Sequence, residues 1–185
     1  MKRLVLGAWC LALTLSSVLV SGCGSSYVWR SSVPEGVRTV SVPTFRNESD
    51  VVELGALASR QILREFQREG TFRIASEGDA ALEIQGIVKS AKEGINAYNR
   101  RTGSRFASYD FTAIVEVSVI DKRTRKVLVD NRRYTAHALF TAEQDLTTAK
   151  RNASGRLMED LAQQVVDDVL RIDWSSEREG NGKHE

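Results

Sequence analysis

Tyr109 to Ile120 is the longest uninterrupted alternation in the chain and constrains its fold more than any other stretch. Tyr109, Phe111, Ala113, Val115, Val117 and Val119 share one parity, and Asp110, Thr112, Ile114, Glu116, Ser118 and Ile120 share the other. Successive side chains of a strand point to opposite faces, so this run predicts a central strand with one face in the core. Asp121 to Arg125 is a polar turn, and Val127 to Phe140 returns as a second long strand with Tyr134, Ala136, Ala138 and Phe140 on one face. An antiparallel hairpin is expected. Its apolar face needs a cover.

Two amphipathic helices can supply that cover. Leu54, Ala58, Ile62 and Phe66 recur every fourth residue, with Arg60, Arg64, Glu65 and Arg68 on the opposite face and Gly70 as a natural terminator. That polar face mixes both signs of charge, which suits packing on a sheet better than lying on a membrane. Asp50 and Glu53 have capping-box spacing ahead of this helix. Near the C-terminus Ala153, Leu157, Leu161, Val165 and Val169 step by four, after a cap expected at Thr141 or a neighbouring threonine, and Trp174 is expected to close the core.

The remaining segments are shorter. Val37 to Phe45 alternates as a strand, with Pro43 at its end or on an edge because proline cannot donate to a ladder. Thr71 to Ser76 and Leu82 to Val88 are two further strands, and Gly86 marks a bulge or a close approach. Glu93 to Arg105, interrupted by Gly94, Asn96, Asn99 and Gly103, is expected to be a loop. The order β-α-β-β-β-β-α gives an α+β, two-layer α/β sandwich. Its mixed, mostly antiparallel sheet of four to five strands would be covered on one face by the two helices.

The first 22 residues stand outside this fold. Met1-Lys2-Arg3 is basic, Leu4 to Val20 is apolar, and Val20-Ser21-Gly22 leads directly to Cys23. This is an export signal ending in a lipobox. The motif resembles that of bacterial lipoproteins and implies cleavage before Cys23, with diacylglyceryl and acyl groups on that residue. Several chains are what stable attachment needs, since one anchors only marginally. Residues 23–32 form a lipidated tether, 33–174 a single domain, and 175–185 a charged tail expected to be disordered. With Cys10 in the leader, Cys23 is the only cysteine left and no intrachain disulfide can form. Lys2 and Arg3 also leave, so the remaining 24 basic residues balance the 24 acidic ones. Nucleic-acid binding is not expected without a basic excess.

Catalytic motifs are not found. His184 lies in the tail, and His137 alternates out of the core on the last strand. The mature chain offers no free thiol, nucleophile elbow, phosphate-binding glycine loop or histidine pair at metal-ligand spacing. Asp167-Asp168 is expected on a solvated helix face. A non-enzyme without metal or cofactor is the expectation. Two basic clusters remain: Arg100, Arg101 and Arg105 ahead of the central strand, and Lys122, Arg123, Arg125 and Lys126 after it. Guanidinium groups read phosphate bidentately, so either cluster could meet an anionic ligand.

Cys23-Gly24, Val42-Pro43-Thr44-Phe45-Arg46-Asn47, Ala80 to Gly86 and the strand-turn-strand through Asp121 to Leu128, taken in this order, resemble the LptE family of lipopolysaccharide-assembly lipoproteins. The resemblance runs from Cys23 to about Ile172. It implies a lipid-anchored protein on the periplasmic face of the outer membrane that plugs the LptD β-barrel and contacts lipopolysaccharide. Arg101-Thr102-Gly103 matches the family's basic residue ahead of a glycine, which makes Arg100, Arg101 and Arg105 the expected lipopolysaccharide-binding group. The family's second basic position, entering the last helix, has no counterpart in Leu139 to Gln144. A lipid-anchored periplasmic adaptor or activator of a cell-wall enzyme is the alternative.

Overall fold

A computed structural model describes residues 33–99, 106–142 and 145–174. A 3₁₀ turn at Glu35–Val37 leads into β1 (Thr39–Ser41), β2 (Arg46–Asn47), helix α1 (Leu54–Glu69) and β3 (Arg73–Ile74). Three long strands follow, β4 (Leu82–Asn99), β5 (Phe106–Asp121) and β6 (Lys126–Ala142), and then helix α2 (Leu146–Leu170). The sheet order is β3-β1-β4-β5-β6, with β2 also on β4. The short strands pair in parallel and the long ones antiparallel. This is the expected α+β sandwich, but its sheet has six strands rather than four or five.

The additional strand arises because Val37 to Phe45 does not run as one strand. β1 pairs with Leu82 and Glu83, β2 with Ile87 and Val88, and the chain bows off β4 between them at Pro43. Ser59 of α1 secures the bow. Its hydroxyl accepts from the Phe45 amide at 2.8 Å and lies 3.0 Å from the carbonyls of Pro43 and Gly55, to which it can donate. Polar groups released from the ladder are thereby satisfied by a side chain.

Three other expectations are corrected. Glu93 to Asn99 is strand, because β4 continues opposite Phe106 to Phe111, accommodated by irregularities at Val88/Ser90 and Ile95/Ala97. Asp50 does not cap α1; Glu53 holds the cap position with φ 70° and no side-chain cap bond. Asp145, and not a threonine, caps α2 by accepting from the Thr147 amide at 2.9 Å.

The core lies between the sheet and the helices. Phe111, Ala113, Val115, Val117 and Val119 are buried in one core with Leu54, Ala58, Ile62 and Phe66 of α1 and the stripe of α2 that steps by four from Ala153 to Val169. Each buried large aliphatic contributes about 1.5–3 kcal/mol relative to exposure. Gly70 ends α1 at φ 83°, donating to the Phe66 carbonyl at 3.1 Å. Trp174 closes the core beside Phe72, ring centroids 6.4 Å apart.

Candidate functional site

Cys23, Arg100, Arg101 and Arg105 lie outside the described residues. The strand ends flanking the three arginines are described. Asn99 pairs with Phe106, and Ala107 pairs with Ala142, where β6 leads towards α2. The extended ends of β4 and β5 therefore lie at the end of the sheet at which α2 begins.

The second basic cluster is at the other end of β5, and acidic groups meet two of its members there. Lys122 pairs with Glu83 at 2.9 Å and donates to the Glu77 carbonyl. Arg123 pairs at 3.1 Å with Asp121, a fully buried carboxylate that also accepts from the amides of Arg123 and Thr124. Hydrogen bonds from Gln85 and then Lys122 hold the Glu83 carboxyl below its ordinary range. Arg125 makes the turn at φ 57°. Lys122 and Arg123 stabilise a hairpin, and a phosphate there would have to displace carboxylates.

At the α2 end the surface is amphiphilic. Tyr109 stacks on Phe140 with centroids 5.1 Å apart, next to a cleft of about 590 Å³ between β6 and α2. Ser108, Thr141, Asp145, Asn152 and Arg156 supply its polar wall. Arg156 donates to the Leu139 carbonyl on the outer edge of β6 at 3.3 Å. Ile95 of β4, Leu139 of β6 and Leu146 of α2 are exposed large apolar residues on the terminal parts of their elements. The Asp145 carboxyl is held below its ordinary range, first by the Thr148 hydroxyl and then by the Thr148 and Thr147 amides. Sequence reasoning missed Arg156, which reads in isolation as one more charge on a wet helix face. Only its proximity to β6 distinguishes it.

Asp168 is likewise not simply solvated. It accepts from the Tyr134 hydroxyl and from Arg132, each at 2.9 Å, and so ties the C-terminal half of α2 to β6. Burial first, and Asp168 second, push the Tyr134 hydroxyl up to about 12. His137 is exposed as expected, with Nδ1 3.0 Å from the Thr112 hydroxyl. Among the described residues no three His, Cys, Asp or Glu side chains converge as metal ligands. Nor is any described helix long and apolar enough to cross a membrane.

A family model described as LptE, lipopolysaccharide-assembly, matches residues 37–170. Among solved structures, the chain is similar to the hypothetical protein CT253 from Chlamydia trachomatis, at TM-score 0.50 and 16% identity over 73% of this chain and 96% of that one. It is also similar to a neuraminyllactose-binding hemagglutinin homolog from Helicobacter pylori, at TM-score 0.50 and 8% identity over 80% and 91%. A minor lipoprotein from Acinetobacter baumannii aligns at TM-score 0.47 and 13% identity over 72% and 93%. No curated protein matches significantly.

Proposed function

The chain belongs to the LptE lipopolysaccharide-assembly family, and we propose that it acts as the lipid-anchored plug and assembly partner of an LptD-type β-barrel. The family match begins just before β1 and ends with α2, so it embraces the whole sandwich. The family consists of outer-membrane assembly lipoproteins rather than enzymes. In this reading acylated Cys23 holds the protein on the periplasmic face of the outer membrane. The sandwich fills the barrel, and Arg100, Arg101 and Arg105 meet the phosphates of lipopolysaccharide.

One observation carries the assignment of the lipopolysaccharide-binding end. β4 and β5 continue to Asn99 and Phe106, the residues that flank the arginine segment in sequence, at the end that bears the Tyr109–Phe140 stack and the Arg156 cleft, which supports a role for those arginines there. Phosphate and acyl chains in one ligand call for cations and apolar surface together. A charge-assisted contact is worth about 1.5–3 kcal/mol before solvent screening, so each arginine tunes affinity rather than deciding it.

Two measurements test the reading. Arg101→Glu is expected to weaken lipopolysaccharide binding while leaving barrel association intact; equal binding by the variant would remove the loop from the mechanism. A large β-barrel is expected to co-purify from detergent-solubilised outer membrane. Recovery of a penicillin-binding protein in its place would overturn the plug.

A further inference from the structure

The helix layer holds a second recess, about 570 Å³, between the start of α1 and the first half of α2. Val51, Val52 and Leu57 contribute its apolar lining, and Val52 is 83% exposed, the most exposed large apolar residue described. Arg60 and Arg151 bring exposed guanidinium groups from the two helices, and Glu53 brings one carboxylate. Lys150 is already committed, pairing with Glu93 at 2.8 Å above the Phe111 ring. Among the described residues, neither Arg60 nor Arg151 has an acidic partner within ion-pair distance.

Gly155 is the informative residue in this groove. A Cβ built there meets nothing within 4 Å, so packing does not require glycine. Glycine inside a helix is also less favourable than alanine. An added methyl group would enter open space at this position. Open volume, exposed valine and two unpaired guanidinium groups fit a ligand with an anionic head and an alkyl body.

We propose that this groove binds an anionic amphiphile, its phosphate-like head held by Arg60 and Arg151 and its alkyl chain laid over Val52, Leu57 and the gap at Gly155. Two guanidinium groups outside any ion pair, with Arg151 acting only at longer range on Asp145 and Glu53 the one carboxylate in the lining, favour the anionic head, and their planar forks match phosphate oxygens bidentately. The described lining comes from the start of α1 and the first half of α2.

The test is photolabelling of the full chain, purified in uncharged detergent, with dodecyl phosphate carrying a diazirine on its chain. Label is expected on the segments around Val52 and Gly155. Excess plain dodecyl phosphate should compete, and inorganic phosphate at the same concentration should not. Arg60→Ala with Arg151→Ala should weaken labelling at least about tenfold, since two screened charge-assisted contacts are lost. Gly155→Leu, which fills the recess and leaves every charge in place, should do the same with an unchanged circular dichroism spectrum. Equal labelling by an uncharged dodecyl maltoside analogue, or undiminished labelling of the arginine double variant, overturns the proposal. Full competition by inorganic phosphate overturns it as well, since the site would then bind phosphate alone.

Discussion

Two glycines show how differently one residue type can be used in this chain. A Cβ on Gly86 would stand within 2.5 Å of three atoms of the Phe45 ring, whereas a Cβ on Gly155 would meet open space. Gly86→Ala should therefore destabilise the fold by about 1–3 kcal/mol, the usual cost of overpacking a core. Gly155→Ala should stabilise it by about 0.5–1 kcal/mol through helix propensity. Urea unfolding midpoints moving in opposite directions would establish the contrast. The alternation around Gly86 marks that residue as a bulge or a close approach, and the second holds: the ring of Phe45 takes the space. Tyr134 carries a pH dependence. Its hydroxyl titrates near 12 in the fold, against about 10 when unfolded, so the fold favours the protonated form. That contribution is complete below pH 10 and is lost as pH rises to 12, by no more than about 2–3 kcal/mol. Tyr134→Phe should flatten this part of an alkaline unfolding curve, and an unchanged slope would show that Tyr134 does not cause it.

Among the elements, β5 and α2 are plain in the sequence because a single period runs through most of each, whereas β4 is not. Ile84 and Val88 face the helices opposite Val119 and Val115, but past the irregularity at Val88/Ser90 the residues opposite Ala113, Phe111 and Tyr109 are Ala91, Glu93 and Ile95. One extra residue changes the inward parity, so a period-two reading stops at Val88 although the strand continues. The same limit applies to charges. That Lys122 pairs with Glu83 while Arg60 is in no ion pair among the described residues depends on segments far apart in sequence, and composition shows both only as basic residues. Pairing also sets local stability. β4 has strand neighbours on both sides only as far as Val88, where β2 ends. Hydrogen exchange should accordingly be slowest over Leu82 to Val88 and faster over Lys89 to Ile95; uniform protection would mean that another partner covers that edge. At the start of α2, Asp145→Ala removes the acceptor for the Thr147 amide and should cost about 1 kcal/mol, measurable as a lower urea midpoint.

For the whole molecule, the two-layer plan follows from one alternating run and two helical stripes, because a sheet with one apolar face and helices with one apolar stripe have few ways to cover each other. The ligand-facing surfaces were less legible. The arginine loop stands out by composition alone, but the Arg156 cleft and the groove at Gly155 form only where elements distant in sequence meet. The boundaries of the fold are also set by packing. Val33 is 2% exposed and Trp174 is 1% exposed, both within the core cluster, and Trp174 lies beside Phe72, which itself packs edge-on to Phe66 at 5.3 Å. Both ends of the described chain are thus held in the core. A chain of residues 33–174 should therefore unfold cooperatively, with a urea midpoint matching that of the full-length protein. Ending the chain at Ile172 removes Trp174 and should cost about 3–5 kcal/mol, as large-to-small changes at buried aromatics do. If the fragment ending at Trp174 were the unstable one, residues outside 33–174 would have to be part of the fold.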